Sequence, residues 1–202
     1  MTRLIIGIIS STLIILLSSA CTHPPRPTGY LEDYKQLRPG KYLEQFWSDR
    51  DRIVQDQYKR IVMGRIEARV VDSAKVTGIQ ACSWLRSAVL RGDTSAEYLA
   101  FGAGPGKKAR LDLAITEMTP GDAFARIMAG ELGAGHAWVQ VEGRVTDEET
   151  GVLLVSFADR RRGSGVIGFR DVAGDSGPSM LHEMIIAIGF GIRNELDRTF
   201  GP

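Results

Sequence analysis

Two adjacent segments restrict the folds open to this chain. From Ala137 to Thr146, valines alternate with polar residues (Val139, Val141, Val145), and Val152 to Ala158 is a second apolar run. Between them stands Asp147-Glu148-Glu149-Thr150-Gly151, a cluster of turn residues ending in glycine. Alternation with period two marks a half-buried strand, and a short Gly-containing connection makes neighbouring strands an antiparallel hairpin. A hairpin alone is marginal in water, so more strands and an amphipathic layer must cover its apolar face.

Those elements are legible on both sides. Ile66-Glu67-Ala68-Arg69-Val70 alternates apolar with charged residues, and Arg110 to Thr116 places Leu111, Leu113 and Ile115 on one face. Asp72 or Ser73 is placed to cap a helix carrying Val76, Ile79, Cys82, Leu85 and Val89 at helical spacing, with Gly92 past its end. Pro178 begins another helix, with Leu181, Met184, Ile185, Ile188, Ile192 and Leu196 forming an apolar stripe. The order strand-helix-strand-strand-strand-helix defines an α+β class: one domain, a small mixed β-sheet and two packed helices on one face. Gly189 and Gly191 each carry a helix penalty of about 1 kcal/mol, which close packing against the sheet would explain.

The N-terminus speaks to location. Met1-Thr2-Arg3 supplies a positive charge, Leu4 to Leu17 is apolar, and Leu17-Ser18-Ser19-Ala20-Cys21 follows. A basic start, a short apolar core and small residues before the cut make a secretory signal. The core is 14 residues long, short of the ~20 that a spanning helix needs. Residues 1–20 thus read as a lipoprotein-type signal peptide, cleaved between Ala20 and Cys21, with acyl chains on Cys21 anchoring the protein to the membrane. Two or more chains, at about 0.8 kcal/mol per buried methylene, make a stable anchor. Ser18 stands where a lipobox prefers leucine, and Ser18 with Ala20 also suits ordinary signal peptidase. A soluble periplasmic protein and an uncleaved anchor are therefore alternatives. Thr22, rather than Asp, after the cysteine is the sorting signal for the outer membrane. Residues 21–28, rich in proline, read as a tether standing the fold off by roughly 20 Å. Residues 29–202 then form the domain, with 29–59 as a wrapping arm.

Composition narrows the function. Of the 202 residues, removal of 20 leaves 182, enough for one domain with a real core. Removing Arg3 with the signal leaves 24 basic and 24 acidic side chains, a balance that argues against nucleic acid as partner. With Cys21 acylated, Cys82 has no disulfide partner and reads as a core residue.

No motif for catalysis or cofactor binding has its required context. Gly163-Ser164-Gly165-Val166-Ile167-Gly168 matches GxGxxG, but Phe169-Arg170-Asp171-Val172 does not open a helix. Gly102-Ala103-Gly104-Pro105-Gly106-Lys107-Lys108 lacks the first glycine and the final hydroxyl of a phosphate loop. His182-Glu183 lacks a second histidine at Ile186, and His23, His136 and His182 form no zinc-ligand spacing, so neither metal nor cofactor is expected. Ser164 lacks a nucleophile elbow. Asp112 with Glu117, and Glu148 with Glu149, are carboxylate pairs that any soluble surface offers.

The interaction candidates are Arg160, Arg161, Arg162 and Trp138. Guanidiniums at a strand end can hold phosphate or carboxylate groups bidentately, although alternation turns Arg161 away from the other two. Asp159, Asp171 and nearby glutamates are the competing partners within the chain. Trp138, on the polar face of its strand beside Gln140, is a candidate interface anchor unless the arm with Phe46 and Trp47 covers it.

Four pieces in order carry a family resemblance. They are the cysteine and tether; Gly29-Tyr30-Leu31-Glu32-Asp33-Tyr34 with Leu37-Arg38-Pro39; Gly104-Pro105-Gly106 leading into Arg110-Leu111-Asp112-Leu113-Ala114-Ile115-Thr116; and the turn at Thr146 to Gly151. A basic stretch like Asp159-Arg160-Arg161-Arg162-Gly163 and a C-terminal helix complete the order. In these the chain resembles the bacterial lipoprotein family called domain of unknown function thirty-three thirteen. The resemblance implies an envelope lipoprotein with an α+β domain, distantly similar to small domains of periplasmic scaffolding proteins such as the TolB amino-terminal domain. It implies no catalytic residues. The expected function is a non-enzymatic protein-binding or scaffolding module at the outer membrane. The alternatives are a cell-wall or lipid hydrolase or transferase with a site assembled in space, and a carrier of a small apolar ligand.

Overall fold

The computed structural model describes residues 24–70, 76–93, 95–104, 106–121, 136–163 and 176–201. Along them run β1 (Gln45–Ser48), α1 (Arg50–Asp56), β2 (Tyr58–Ala68), α2 (Gly78–Val89), β3 (Tyr98–Ala100), β4 (Lys107–Thr119), β5 (Ala137–Asp147), β6 (Leu153–Gly163) and α3 (Ser176–Phe200). The strands form one mixed sheet in the order β1-β6-β5-β4-β2-β3, parallel only between β2 and β4. The expected α+β single domain is observed.

Alternation sorts this sheet into two unlike faces. On one, Leu111, Leu113, Ile115, Val139, Val141, Val145, Val155 and Phe157 are wholly buried. Leu85 and Val89 of α2, and Leu181, Ile185, Ile188 and Ile192 of α3, close over them. Each such side chain contributes about 1.5–3 kcal/mol by leaving water, so this layer is the main stabilising core. The other face carries a smaller apolar cluster of Tyr30, Leu31, Leu37, Ala114 and Ala158, flanked by Tyr34 and Trp47.

Several expectations need correction. Helix α2 begins at Gly78, where Thr77 is the cap and its hydroxyl accepts from the Gln80 amide at 3.2 Å. Thr77 keeps an extended backbone, as an N-cap requires. Asp72 and Ser73, proposed as caps, lie outside the described residues. Gly92, just past α2, has φ +87° and donates to the Ser87 carbonyl, a stop that glycine makes without strain. Helix α3 starts before Pro178, which is tolerated there because first-turn amides have no helical partner. Gly189 packs against α2 rather than the sheet: a Cβ on it would lie 2.4 Å from the Ala88 Cβ. Gly191 instead admits the carbonyl of Tyr42, 2.8 Å from where its Cβ would stand.

The segment 44–59 is no mere arm. Phe46 and Trp47 sit in β1, which pairs antiparallel with the outer edge of β6, and α1 follows, capped by Asp49. The β6 strand is also longer than expected. It runs through Arg160, Arg161 and Arg162, which lie within the strand opposite Gln140, Val139 and Trp138 rather than at its end.

Candidate functional site

The second face of the sheet is where polar chemistry collects. Strand β5 is paired on both sides and turns Trp138, Gln140, Glu142, Arg144 and Thr146 to that face. Gln140 and Glu142 are wholly buried, because the chain N-terminal to β1 lies across them as a strap. The Gln140 amide grips the strap at two points. Its Oε1 accepts from the Arg26 amide at 2.8 Å, and its Nε2 donates to the Arg26 carbonyl at 2.7 Å.

Glu142 is the hub. Its carboxylate accepts from the Thr28 hydroxyl at 2.6 Å, the Thr116 hydroxyl at 2.8 Å and Gln140 Nε2 at 2.9 Å. The Tyr34 hydroxyl donates to the other oxygen at 2.5 Å, while accepting from the amides of Thr28, Gly29 and Leu31 at 3.1–3.3 Å. Three donors thus converge on one carboxylate oxygen and Tyr34 meets the other, so neither oxygen is left without a partner. Tyr30 then lies near the guanidiniums of Arg69 and Arg144, 4.9 and 5.7 Å from its ring, with its hydroxyl pushed up to about 12 chiefly by burial.

Residues 24–28 are therefore not the free spacer that their prolines suggest. Pro25 is buried, and Arg26 and Thr28 are hydrogen-bonded to β5, because the buried polar face of a central strand needs partners and the Arg26 backbone and Thr28 hydroxyl supply them. Gln140, Glu142, Thr28 and Tyr34 were missed as a site by sequence reasoning. The available signal was two polar residues on one face of a strand long enough to be central.

The three arginines do not form one patch. Arg160 is 3% exposed, donates to both oxygens of Glu117 at 2.6 and 3.0 Å, and stacks 4.0 Å from the centre of the Trp138 ring. Arg162 lies on the same face, 5.9 Å from that ring, and contacts His136. Arg161 points to the helix side and pairs with Asp159 at 3.0 Å. Arg160 and Arg161 are thus committed to carboxylates within the chain, and Trp138 is half-buried as the platform for Arg160. Asp112 and Glu117 do not work as a pair, since Asp112 binds Arg110 and the Arg65 amide. Ala20, Cys21, Ser164 and Asp171 lie outside the described residues.

Around Asp159 the electrostatics are unfavourable. Glu44 places its amide 3.2 Å from the Asp159 carboxylate, and its own carboxyl is pushed up to about 7 by burial and then by the Asp159 charge. A carboxyl raised in the folded state favours folding least once it must ionise. Its penalty is absent below the ordinary carboxylate range and complete above about pH 7. Glu44→Gln is therefore expected to stabilise the protein by about 1–2 kcal/mol at pH 8, allowing for partial solvent screening, and by nothing at pH 4. Urea midpoints at the two pH values test this, and an equal gain at both would refute it.

Other candidate groups are structural. The Asp147 carboxylate is held down to about 2, first by the Tyr58 hydroxyl that donates to it at 2.5 Å, and it also accepts from the Glu149 and Thr150 amides, fixing the hairpin turn. Cys82 packs beside the core, and burial pushes its thiol up, away from a reactive thiolate. His182 is exposed and meets the Trp84 ring edge-on at 4.8 Å. Two concavities are lined by described residues. One of about 380 Å³ lies between strap and hairpin, with Asp33, Gln36, Asp112, Arg144 and Ser156 in its wall. The other, about 370 Å³, is apolar and open between β2 and α2. Among the described residues no helix is long and apolar enough to cross a membrane.

No family model and no curated protein matches the sequence. Solved structures that match in part include a variant PelC dodecamer from Paraburkholderia phytofirmans, at 16% identity over 65% of this chain and 88% of that one, with TM-score 0.35. A hypothetical protein from Chlamydia trachomatis matches at 14% identity over 67% and 95%, with TM-score 0.39. A Xanthomonas campestris protein of the DUF330 family matches at 13% over 71% and 89%, also with TM-score 0.39. At such identities and TM-scores these neighbours carry no statement about activity.

Proposed function

We propose that this protein is an envelope lipoprotein whose α+β domain is a non-enzymatic binding module held close against the outer membrane. The observation that carries this reading is the docked strap. Because Arg26 is clamped by Gln140, Cys21 is only five Cα-to-Cα steps from a fixed point on the sheet. A fully extended chain of that length reaches at most about 18 Å, so an acylated Cys21 keeps the β5 face near the bilayer instead of swinging on a long leash. Strap residues spent on the domain, with Arg160 and Arg161 already paired internally, suit a scaffold that presents its remaining surface to another envelope protein.

Membrane fractionation of the native protein and of Cys21→Ser tests the anchor. The native form is expected in the membrane fraction and the variant in the soluble one, and equal retention would sink the anchor. Crosslinking in cells tests the scaffold: a reproducible envelope partner is expected with the native protein and its recovery should fall in Cys21→Ser. Recovery of no reproducible partner would overturn the binding role while leaving the anchor intact.

A further inference from the structure

Among the described residues, one edge of the sheet is uncovered over the last part of β2. Strand β3 pairs with β2 only at Arg60, Ile61 and Val62, and the Met63 amide donates to the Glu97 carbonyl at 3.0 Å. From Arg65 to Ala68 the outer edge of β2 has no strand partner among the described residues. Beside this edge lies the apolar concavity, lined by Ile66 and Ala68 from the strand, by Val70 just past its end, and by Ile79 and Cys82 from α2. Ile79 is 86% exposed there. An open edge next to apolar side chains is a template for pairing with another strand.

The charge pattern along the edge selects the partner. Ile66 and Ala68 face the helices, while Glu67 lies on the other face with its carboxylate 2.9 Å from Arg65 and 2.5 Å from Arg69. We propose that two copies of this chain pair antiparallel through these edges, with Ala68 at the twofold axis. In that register Glu67 of each copy faces Arg69 of the other, Ala68 faces Ala68, and Ile66 faces Val70. Opposite charges thus meet on one face, and the apolar residues meet on the other, continuous with Ile79 and Cys82 of both copies. Cross-strand pairs of this kind stabilise a sheet, and like charges in opposition destabilise it. A register centred on Glu67 would set Arg65 against Arg69. One centred on Ile66 would set Gly64 against Ala68 and so lose the apolar pair that Val70 supplies. The arginine fork has five donors, so Arg69 can keep its own Glu67 while binding the facing one. The result is a continuous sheet across two copies.

Disulfide trapping and sedimentation of the full chain purified in detergent test the arrangement. Residues facing each other across a twofold in an antiparallel pair have Cα atoms about 4.5–5.5 Å apart, within the range a disulfide spans. In a Cys82→Ser background, Ala68→Cys is expected to give a reducible dimer on mild oxidation. Val54→Cys in the same background, on the exposed face of α1, should yield none beyond the parent. Glu67→Arg, with no cysteine introduced, is expected to weaken self-association at least tenfold by sedimentation, and Glu67→Arg with Arg69→Glu to restore it. No crosslink through residue 68, or self-association indifferent to Glu67→Arg, would overturn the proposal. Sedimentation of the unmodified chain as a single copy would do so too, independently of any variant's folding.

Discussion

Glu142→Ala is expected to destabilise the domain by about 3–5 kcal/mol and to release the strap. The carboxylate is wholly buried and accepts from Tyr34, Thr28, Thr116 and Gln140. Each buried donor left without an acceptor costs about 1–3 kcal/mol. The four costs do not simply add, because a freed hydroxyl can rotate and the network relaxes as a unit. The expected loss is still a large share of a typical net stability of about 5–15 kcal/mol. Glu142→Gln keeps the shape and one acceptor oxygen but aims an amide donor at other donors, so an intermediate cost of about 1–2 kcal/mol is expected. Urea unfolding measures both. Trypsin cleavage after Lys35, within the strap, measures something further: local opening without global unfolding. In Glu142→Ala that cleavage should accelerate more than the loss of global stability accounts for, because the strap depends on this hub while the helix layer does not. A wild-type urea midpoint with wild-type cleavage would show that the network holds nothing in place.

The sequence made the helix side of the sheet legible and the strap side opaque, for a physical reason. Val139, Val141 and Val145, or Leu111, Leu113 and Ile115, announce a buried face by hydrophobicity alone, and period two then fixes which residues share it. Leu181, Ile185, Ile188 and Ile192 do the same at helical spacing. Gln140 and Glu142 are just as buried, but through hydrogen bonds to Arg26, Thr28 and Tyr34, more than 100 positions away. No local pattern encodes a match over that distance. The prolines at Pro24, Pro25 and Pro27 spoke instead for a free tether, since proline favours extended chain whether or not a surface lies beneath it. Short β3 was missed because three residues are too few to show a period. Arg160, Arg161 and Arg162 were correctly divided between two faces, yet their partners were invisible: Glu117 lies 43 residues from Arg160 and reaches it only because β4 and β6 flank β5.

Phe157→Ala is expected to be the costliest single change on the helix side, at about 3–5 kcal/mol, with a distinctive coupling to Gly143. Phe157 is wholly buried in β6 and faces Gly143 of β5, whose neighbour in β4 is Leu113. A Cβ at position 143 would stand 2.2 Å from the tip of the Phe157 ring and 2.7 Å from a methyl of Leu113. The ring therefore fills the space that a side chain at 143 would take, and covers a glycine that would otherwise weaken a central strand. Deleting the ring leaves a void in the middle of the sheet, and the cost of a Phe→Ala change includes that void. Gly143→Ala alone overpacks the same place and should cost about 1–3 kcal/mol. In the double variant the new methyl group occupies part of the void and the clash is gone. The double loss should accordingly be smaller than the sum of the single losses by about 1 kcal/mol or more, whereas independent sites would add. Urea unfolding of the four proteins gives the cycle, and additivity within error would refute the packing account. Trypsin separates this lesion from loss of the Glu142 hub. Phe157→Ala leaves every strap hydrogen bond in place, so cleavage after Lys35 should rise only as far as global unfolding carries it.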